Sequence, residues 1–346
     1  MTLTFKENLK RLVNAYGVSG DEFGVAQIAA DILRPYVDRV EIDKFGNVTG
    51  YKSCGKPGAK KLMLDAHIDQ IGFLVTDITK EGFLRFMGMG VDQRMLLGSE
   101  LMVLPKGQEP IYGIVSCLPP HVQNGDYSKA IPIDEMYLDV GMSYEQVSQK
   151  VKVGDYMAFA NDAIDLLNGC VCGKSMDDRA CFMTIIHALD LLKDSDFGCD
   201  LIIVGSTKEE VGGHGARTRA YYDRPDYAIA IDVGHAQTAD STPMDRTHEF
   251  GGGPIIGIGA NSIAKFARRM IEVARAKEIP HQIEAIPSAS GTNAWSIQIV
   301  EEGVCTLVIS LPLRYMHSPV ELLTMTDVYN VGKLLCEFIK SFDGNL

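Results

Sequence analysis

The sequence predicts an α/β protein: a mostly parallel sheet flanked by helices, into which a small β-barrel-like domain is inserted. Three observations predict it. Four short apolar runs, KLMLDAHID, DLIIVGSTKEE, DYAIAIDVG and GVCTLVISLPLRYMH, have the length of buried strands. Helical periodicity separates them, over Asp178 to Leu192, Ile263 to Ala276 and Val328 to Ile339, and that alternation belongs to a parallel sheet covered by helices. Between about residues 72 and 164 the texture changes to frequent Gly and Pro, scattered β-branched residues and no helical stripe.

In chain order, two helices come first: Phe23, Ala26, Ile28, Ala29, Ile32 and Leu33 recur at helical spacing, and Pro35 falls near the end. VEIDKFGNVTGYK then sets Gly46-Asn47 between alternating segments, a hairpin signal. Within the insert, IYGIVSCLPP and KVGDYMAFA read as strands of a barrel or sandwich and SYEQVSQKV as one short helix. The chain therefore divides into a discontinuous main domain, residues 1–71 and 165–346, and an inserted β-domain, residues 72–164. No internal repeat or low-complexity tract interrupts this plan.

With 346 residues, 46% of them hydrophobic, the chain buries a full core. MTLTFKENLK carries charge where a secretory signal has an apolar run, and no stretch approaches the roughly 18 to 20 apolar residues of a membrane span. The expectation is a cytoplasmic protein with no membrane partner. Eight cysteines sit mostly in apolar runs such as GVCTLVIS and KLLCEFI, as thiols do in a reducing compartment. Cys170 and Cys172 form C-x-C without a second pair at zinc-finger spacing. A net charge of −12 argues against nucleic acid, whose phosphates need clustered Lys and Arg. GIGANS (257–262) lacks the third glycine and the acidic residue of a nucleotide-binding turn.

Open parallel sheets bind ligands at the carboxyl ends of their strands, and there the polar ends of the four runs converge. His67 and Asp69 point the same way along an extended segment, so one can bind metal while the other supports it. Asp177 and Asp178 open a helix, Glu209 and Glu210 share a turn before the glycine-rich VGGHG, Asp232 ends YAIAI, and His317 follows LPLRYM. Singly, each has an ordinary account as a core histidine, a turn residue or a helix-start acid. Jointly, His67, Asp177, Glu210, Asp232 and His317 supply two imidazoles and three carboxylates, donors suited to zinc, cobalt or manganese. A neighbouring carboxylate left outside the set is free to act as a base.

AHIDQIG (66–72), GKSMDDRA (173–180), TKEEVGGHGA (207–216), AIDVG (230–234), GGGP (251–254), SGTNA (290–294) and RYMHSPVE (314–321) resemble, in order and over nearly the whole chain, the M42 metalloaminopeptidases. That group holds the tetrahedral, deblocking and glutamyl aminopeptidases, some once labelled endoglucanase M. The resemblance implies a zinc-peptidase-like fold and two divalent ions per subunit, Zn2+ or Co2+ with Mn2+ as an alternative. Asp177 would bridge them, with His67, Asp232, Glu210 and His317 completing the coordination. It also implies that Glu209 is the base acting on a bridging water, that Asp69 assists, and that the substrates are peptide amino termini. Gln70, Gly291, Thr292 and Asn293 become substrate-binding candidates. The insert would mediate dimerisation, and dimers would build a dodecamer. Gln70 stands where the family usually has Glu, and Asn293 where it usually has Asp, so two negative charges are absent.

Two other readings compete. A non-catalytic binding or assembly protein with an altered site draws on Gln70 and Asn293, but such a shell has little need of Glu209. A glycoside hydrolase needs two carboxylates flanking a sugar, and Glu209 and Glu210 are adjacent in sequence.

Overall fold

The computed structural model describes residues 3–119, 122 and 129–346. Residues 120–121 and 123–128, which lie in the expected insert and include the last proline of IYGIVSCLPP, fall outside that description, as do the first two residues of the chain.

Helices α1 (Phe5–Asn14) and α2 (Phe23–Leu33) open the chain. A capping box starts α1: the backbone N–H of Glu7 donates to Thr4 Oγ1, and the N–H of Thr4 donates to Glu7 Oε2. Strands β1 (Arg39–Ile42) and β2 (Val48–Lys52) form the predicted hairpin, Arg39 facing Tyr51. Its turn is fixed by Asp43 Oδ1, which accepts the N–H groups of Phe45 and Asn47. Strand β3 (Lys61–His67) then leads into the barrel strands β4 (Gly72–Ile78), β5 (Leu84–Met89), β6 (Glu100–Leu104), β7 (Ile111–Ser116), β8 (Tyr137–Asp139) and β9 (Tyr156–Phe159). These close in the order β4-β5-β8-β7-β6-β9, and α3 (Tyr144–Val147) is the short helix of SYEQVSQKV. Inside, Phe73 meets Phe86 and Phe159 edge to face, with centroids 5.5 and 5.4 Å away.

After the barrel follow β10 (Ile164–Asp165), β11 (Cys170–Gly173), α4 (Met176–Leu191), β12 (Asp200–Ser206), α5 (His214–Asp223), β13 (Tyr227–His235), β14 (Ile255–Gly259), α6 (Ala264–Ala276), β15 (Gln282–Ile286), α7 (Ala294–Ile297), β16 (Cys305–Leu313), β17 (Glu321–Thr324) and α8 (Met325–Ser341). The large sheet runs β1-β2-β12-β3-β13-β16-β14-β15. Its centre, β12, β3, β13 and β16, is parallel, whereas β2 and β14 join antiparallel at the flanks. The sheet is thus parallel where the four apolar runs lie and mixed at its edges. Leu9, Ala26, Phe182, Phe266 and Leu335 carry α1, α2, α4, α6 and α8 onto one face, and Ala216, Ala220 and Ile297 carry α5 and α7 onto the other. Strand packing accounts for the glycines of GIGANS. A Cβ on Gly259, which has φ +154°, would lie 1.8 Å from the carbonyl oxygen of Ile286 on β15.

Arg179 ties the two ends of this architecture together. Its guanidinium is fully buried and donates to the carbonyls of Ile68 at 2.8 Å, Leu12 at 3.0 Å and Gly17 at 3.3 Å. Burial pulls its pKa down to about 9 against the pull of Asp69 and Glu321. Arg179→Met takes the guanidinium donor from the buried carbonyls of Ile68 and Leu12, while Gly17 keeps the N–H of Gln70, so a loss of on the order of 3 kcal/mol is expected. A urea midpoint equal to that of the parent protein would contradict this role.

Candidate metal centre

The parallel strands end along one edge, where Ser206 of β12 is level with His67 of β3, and Asp232 of β13 is level with Ser310 of β16. His67 is the last residue of its strand. Glu209 and Glu210 occupy the turn from β12 into α5, which closes through Gly212 N–H to the Glu209 carbonyl. Asp177 and Asp178 stand in the first turn of α4. His317 lies beyond β16 in the left-handed region, at φ +62°.

These elements bring the side chains to one place. His67 Nε2 is 3.1 Å from Asp177 Oδ1, and its Nδ1 faces the Asp69 carbonyl at 3.1 Å. His317 Nε2 lies 3.4 Å from both Asp177 Oδ2 and Glu210 Oε2. Two groups each place one ligand atom per residue within 4.8 Å of the others: His67, Asp177 and Glu210, and His67, Asp178 and Asp232. Glu209 belongs to neither group, yet lines the same cleft of about 450 Å3.

Electrostatics tests whether these residues fit a cation. Burial raises the carboxyls of Asp178 and Asp232 well above the usual range, and burial with the Asp177 charge pushes Glu210 up to about 10. Asp178 Oδ1 is buried without a hydrogen-bond partner, and the cleft lining contains no Lys or Arg among the described residues. Burial opposes the charged ring of His67, but hydrogen bonds to Asp177 and Asp69 outweigh it and raise its pKa. Packed carboxylates with unspent oxygens beside two imidazoles are a donor set for hard or borderline divalent ions. The residues fit a metal.

Behind the cleft, two further carboxylates hold the loops. Asp69 accepts Ser19 Oγ at 2.5 Å and the N–H groups of Glu209 and Glu210 at 3.1 and 3.3 Å. It therefore touches both the histidine and the glutamate turn. Glu321, fully buried, accepts the N–H of Asp177 at 3.1 Å and of His317 at 3.0 Å. Neither Glu321 nor Asp178 stood in the expected set, although both lie inside its motifs, one at the end of RYMHSPVE and one beside Asp177.

Of the substrate-binding candidates, Gly291 and Thr292 line the cleft. Gln70 and Asn293 do not, and this corrects their expected contact with substrate: each is 2% exposed. The Asn293 amide is spent on Asp65 Oδ2 at 2.8 Å and Ser206 Oγ at 2.9 Å. Gln70 is held by its backbone, with its N–H donating to the Gly17 carbonyl and its carbonyl accepting from Ser19.

The sequence profile of the family described as M42 glutamyl aminopeptidase matches residues 46–334. The chain belongs to the M42 peptidase family. It is thereby a peptide-bond hydrolase. It is similar to the lysyl aminopeptidase of Pyrococcus furiosus, 36% identical over 350 residues that cover 97% of this chain and 98% of the relative. Among solved structures, an aminopeptidase from the archaeon Desulfurococcus kamchatkensis superposes with a TM-score of 0.91 at 34% identity, covering 98% of this chain and 95% of the other. The TET1 peptidase of Pyrococcus horikoshii, whose structure shows assembly into a tetrahedron or a large octahedral shell, gives 0.85 at 28% identity, covering 98% of this chain and all (100%) of the other. M42 peptidases depend on metal. No helix among the described residues is long and apolar enough to cross a membrane.

Asp232→Asn separates the cost of the buried charges from the gain on binding metal. A carboxyl whose folded pKa is raised destabilises the fold at neutral pH, so with chelator present the variant should melt at or above the parent temperature. With zinc at a hundredfold its dissociation constant, the parent should gain on the order of 3 kcal/mol and the variant much less. Equal gains in thermal denaturation would exclude Asp232 from the metal centre.

Proposed function

We propose that the chain is a dinuclear, metal-dependent aminopeptidase of the cytoplasm that removes amino-terminal residues from peptides. The observation that carries this is the division within the cleft: His67 belongs to both carboxylate groups, Asp177 reaches both histidines, and Glu209 lines the cleft outside either group. His67, Asp177, Glu210, Asp232 and His317 would hold two divalent ions, zinc or cobalt with manganese as an alternative, with Asp177 as the ligand common to both. When bound, the ions supply Lewis-acid polarisation of the scissile carbonyl and a place for the attacking water.

Glu209 is the general base. Burial lifts its carboxyl to about 6, so it takes a proton from water and returns it to the leaving amine within the neutral range. Asp69 is a positioning residue, since its two oxygens accept the N–H groups of Glu209 and Glu210 and so fix the turn that aims both carboxylates. Gly291 and Thr292 line the same cleft and bound the space for the substrate.

The inserted segment, residues 72–164, is assigned to self-association, with residues 1–71 and 165–346 forming the catalytic part. Phe83, Met87, Tyr112 and Ile114 leave the barrel with exposed apolar side chains, and the dodecamer and the tetrahedral or octahedral shells formed by TET1 peptidases support self-association, here assigned as dimers that build a dodecamer.

A panel of aminoacyl chromogenic substrates, assayed after chelation and reconstitution with zinc, cobalt or manganese, tests the reading; chelator-insensitive hydrolysis of a glycoside would sink it. Glu209→Gln should keep the metal content of the parent and lower kcat by about 10²- to 10⁴-fold. Asp177→Asn should lose both ions together. Metal loss in Glu209→Gln equal to that in Asp177→Asn would reverse the two roles.

A further inference from the structure

The cleft extends beyond the metal centre to an acid that the proposed chemistry leaves unused. Its floor crosses the sheet from β13 over β16 and β14 to β15. Asp232 pairs with Ser310, Ser310 with Ile255 and Ile255 with Gln282. Glu284 therefore stands two residues along β15 from the level of Asp232, and three strand spacings away, about 14 Å between strand axes. On that floor, Val308 and Ile286 line the cleft together with Glu284. Gly257, which pairs with Glu284, keeps the surface low: a Cβ there would come within 2.8 Å of Ile286 Cδ1 and 3.2 Å of Val308 Cβ.

Among the described residues the Glu284 carboxyl has no hydrogen-bond partner. Its Oε2 is 3.8 Å from His248 Nε2, beyond hydrogen-bond reach. That ring nitrogen is itself buried without a hydrogen-bond partner. Outside the metal centre, the ionisable side chains lining the cleft among the described residues are His235 and Glu284, and there is no Lys or Arg. An aliphatic floor ending in a carboxylate suits one kind of side chain, a stem of methylenes that ends in a cation.

We propose that Glu284 sets specificity by binding the side-chain charge of an amino-terminal lysine or arginine, whose methylenes lie on Ile286 and Val308. The assignment rests on the aminopeptidase reading and names its substrate class. The reach is consistent. A lysine ammonium lies about 6 Å from its Cα and a glutamate carboxylate about 4 Å from its own, and with the side chain of Asp232 and a polar contact of about 3 Å at each end these lengths span the diagonal of about 16 Å set by three strand spacings and two residues. An acidic side chain in this place would face a like charge, and leucine would desolvate Glu284 without pairing it.

The test compares lysyl, arginyl, leucyl and glutamyl p-nitroanilides on the metal-loaded parent protein and on Glu284→Gln and Glu284→Lys, each shown to melt and to bind zinc as the parent does. The parent should favour the basic substrates. The lysine-to-leucine ratio of kcat/KM should fall about tenfold or more in Glu284→Gln, mainly through KM, and Glu284→Lys should raise the glutamyl rate relative to leucine. A parent without preference for basic residues, or an unchanged ratio in Glu284→Gln, would overturn the assignment. Turnover of none of the four would overturn the aminopeptidase reading instead. Glu284 is then judged by calorimetric binding of free L-lysine against L-norleucine: tighter lysine binding in the parent and not in Glu284→Gln upholds it, and equal affinities refute it.

Discussion

The structure around the cleft depends on one constraint, the burial of carboxylates beside one another. Asp177, Asp178, Asp232 and Glu321 are all at least nine-tenths buried, and each would be neutralised by protonation if nothing stabilised its charge. Two kinds of partner divide the task. His67 and His317 approach Asp177 closely enough to hold its carboxyl well below the usual range, although burial alone would raise it. Backbone N–H groups serve Asp69 and Glu321, which do not line the cleft. These hydrogen bonds, 3.0 to 3.3 Å long, are directional, although burial still raises the Glu321 carboxyl well above the usual range. They fix the start of α4, the glutamate turn and the His317 loop relative to one another, so the oxygens that remain unspent face inward together.

How far this was legible in the sequence differs from residue to residue. Helix α6 begins within one residue of the periodic pattern that starts at Ile263, and α4 and α8 begin two and three residues before theirs, because amphipathic burial on a sheet leaves a strong local signal. The strand-end residues were legible because a parallel sheet gathers its carboxyl ends whatever the loops do. Asp178 was not, since a helix start already explains an acid and only the tertiary fold brings Asp178 Oδ2 to the N–H of His67. Glu321 was hidden for a related reason: its direction depends on β17 pairing with β11, where it faces Gly173 across the ladder. Asn293 shows the opposite failure. A motif position near a cleft suggests contact with substrate, but its amide points into the wall toward Asp65, whose carboxyl burial raises to about 7. A second carboxylate at position 293 would meet Asp65 head on, whereas the amide of Asn293 donates to it.

The barrel is not independent of the centre. His317 is raised first by its hydrogen bond to Asp177 and also by one to the backbone of Gly90, which follows β5. A Cβ on Gly90 would lie 2.6 Å from Ile71 Cγ2 and 3.2 Å from Glu210 Oε2, so the rim of the barrel presses against the metal-binding wall. A displacement of the barrel would therefore be felt at His317 and Glu210, both of which meet the rim at Gly90. The rim of the barrel and the geometry of the centre thus share one mechanical contact.

Glu209 and Glu210 show how neighbouring identical residues acquire different chemistry. Both sit on one turn and both backbone N–H groups donate to Asp69, so local conformation cannot separate them. Their surroundings do. Glu210 approaches His317 at 3.4 Å and bears the Asp177 charge as its largest influence after burial, which drives it to about 10. A carboxylate under that pressure is stabilised most by a cation placed between it and Asp177. For Glu209 the second influence after burial is the favourable charge of His67, and its carboxyl rises only to about 6. A group at that value accepts a proton near neutral pH and releases it again, and with no place in either donor group it has no metal to compete for its lone pairs. In the proposed reading one turn thus presents a ligand and a base side by side, and the difference between them follows from how strongly the Asp177 charge bears on each.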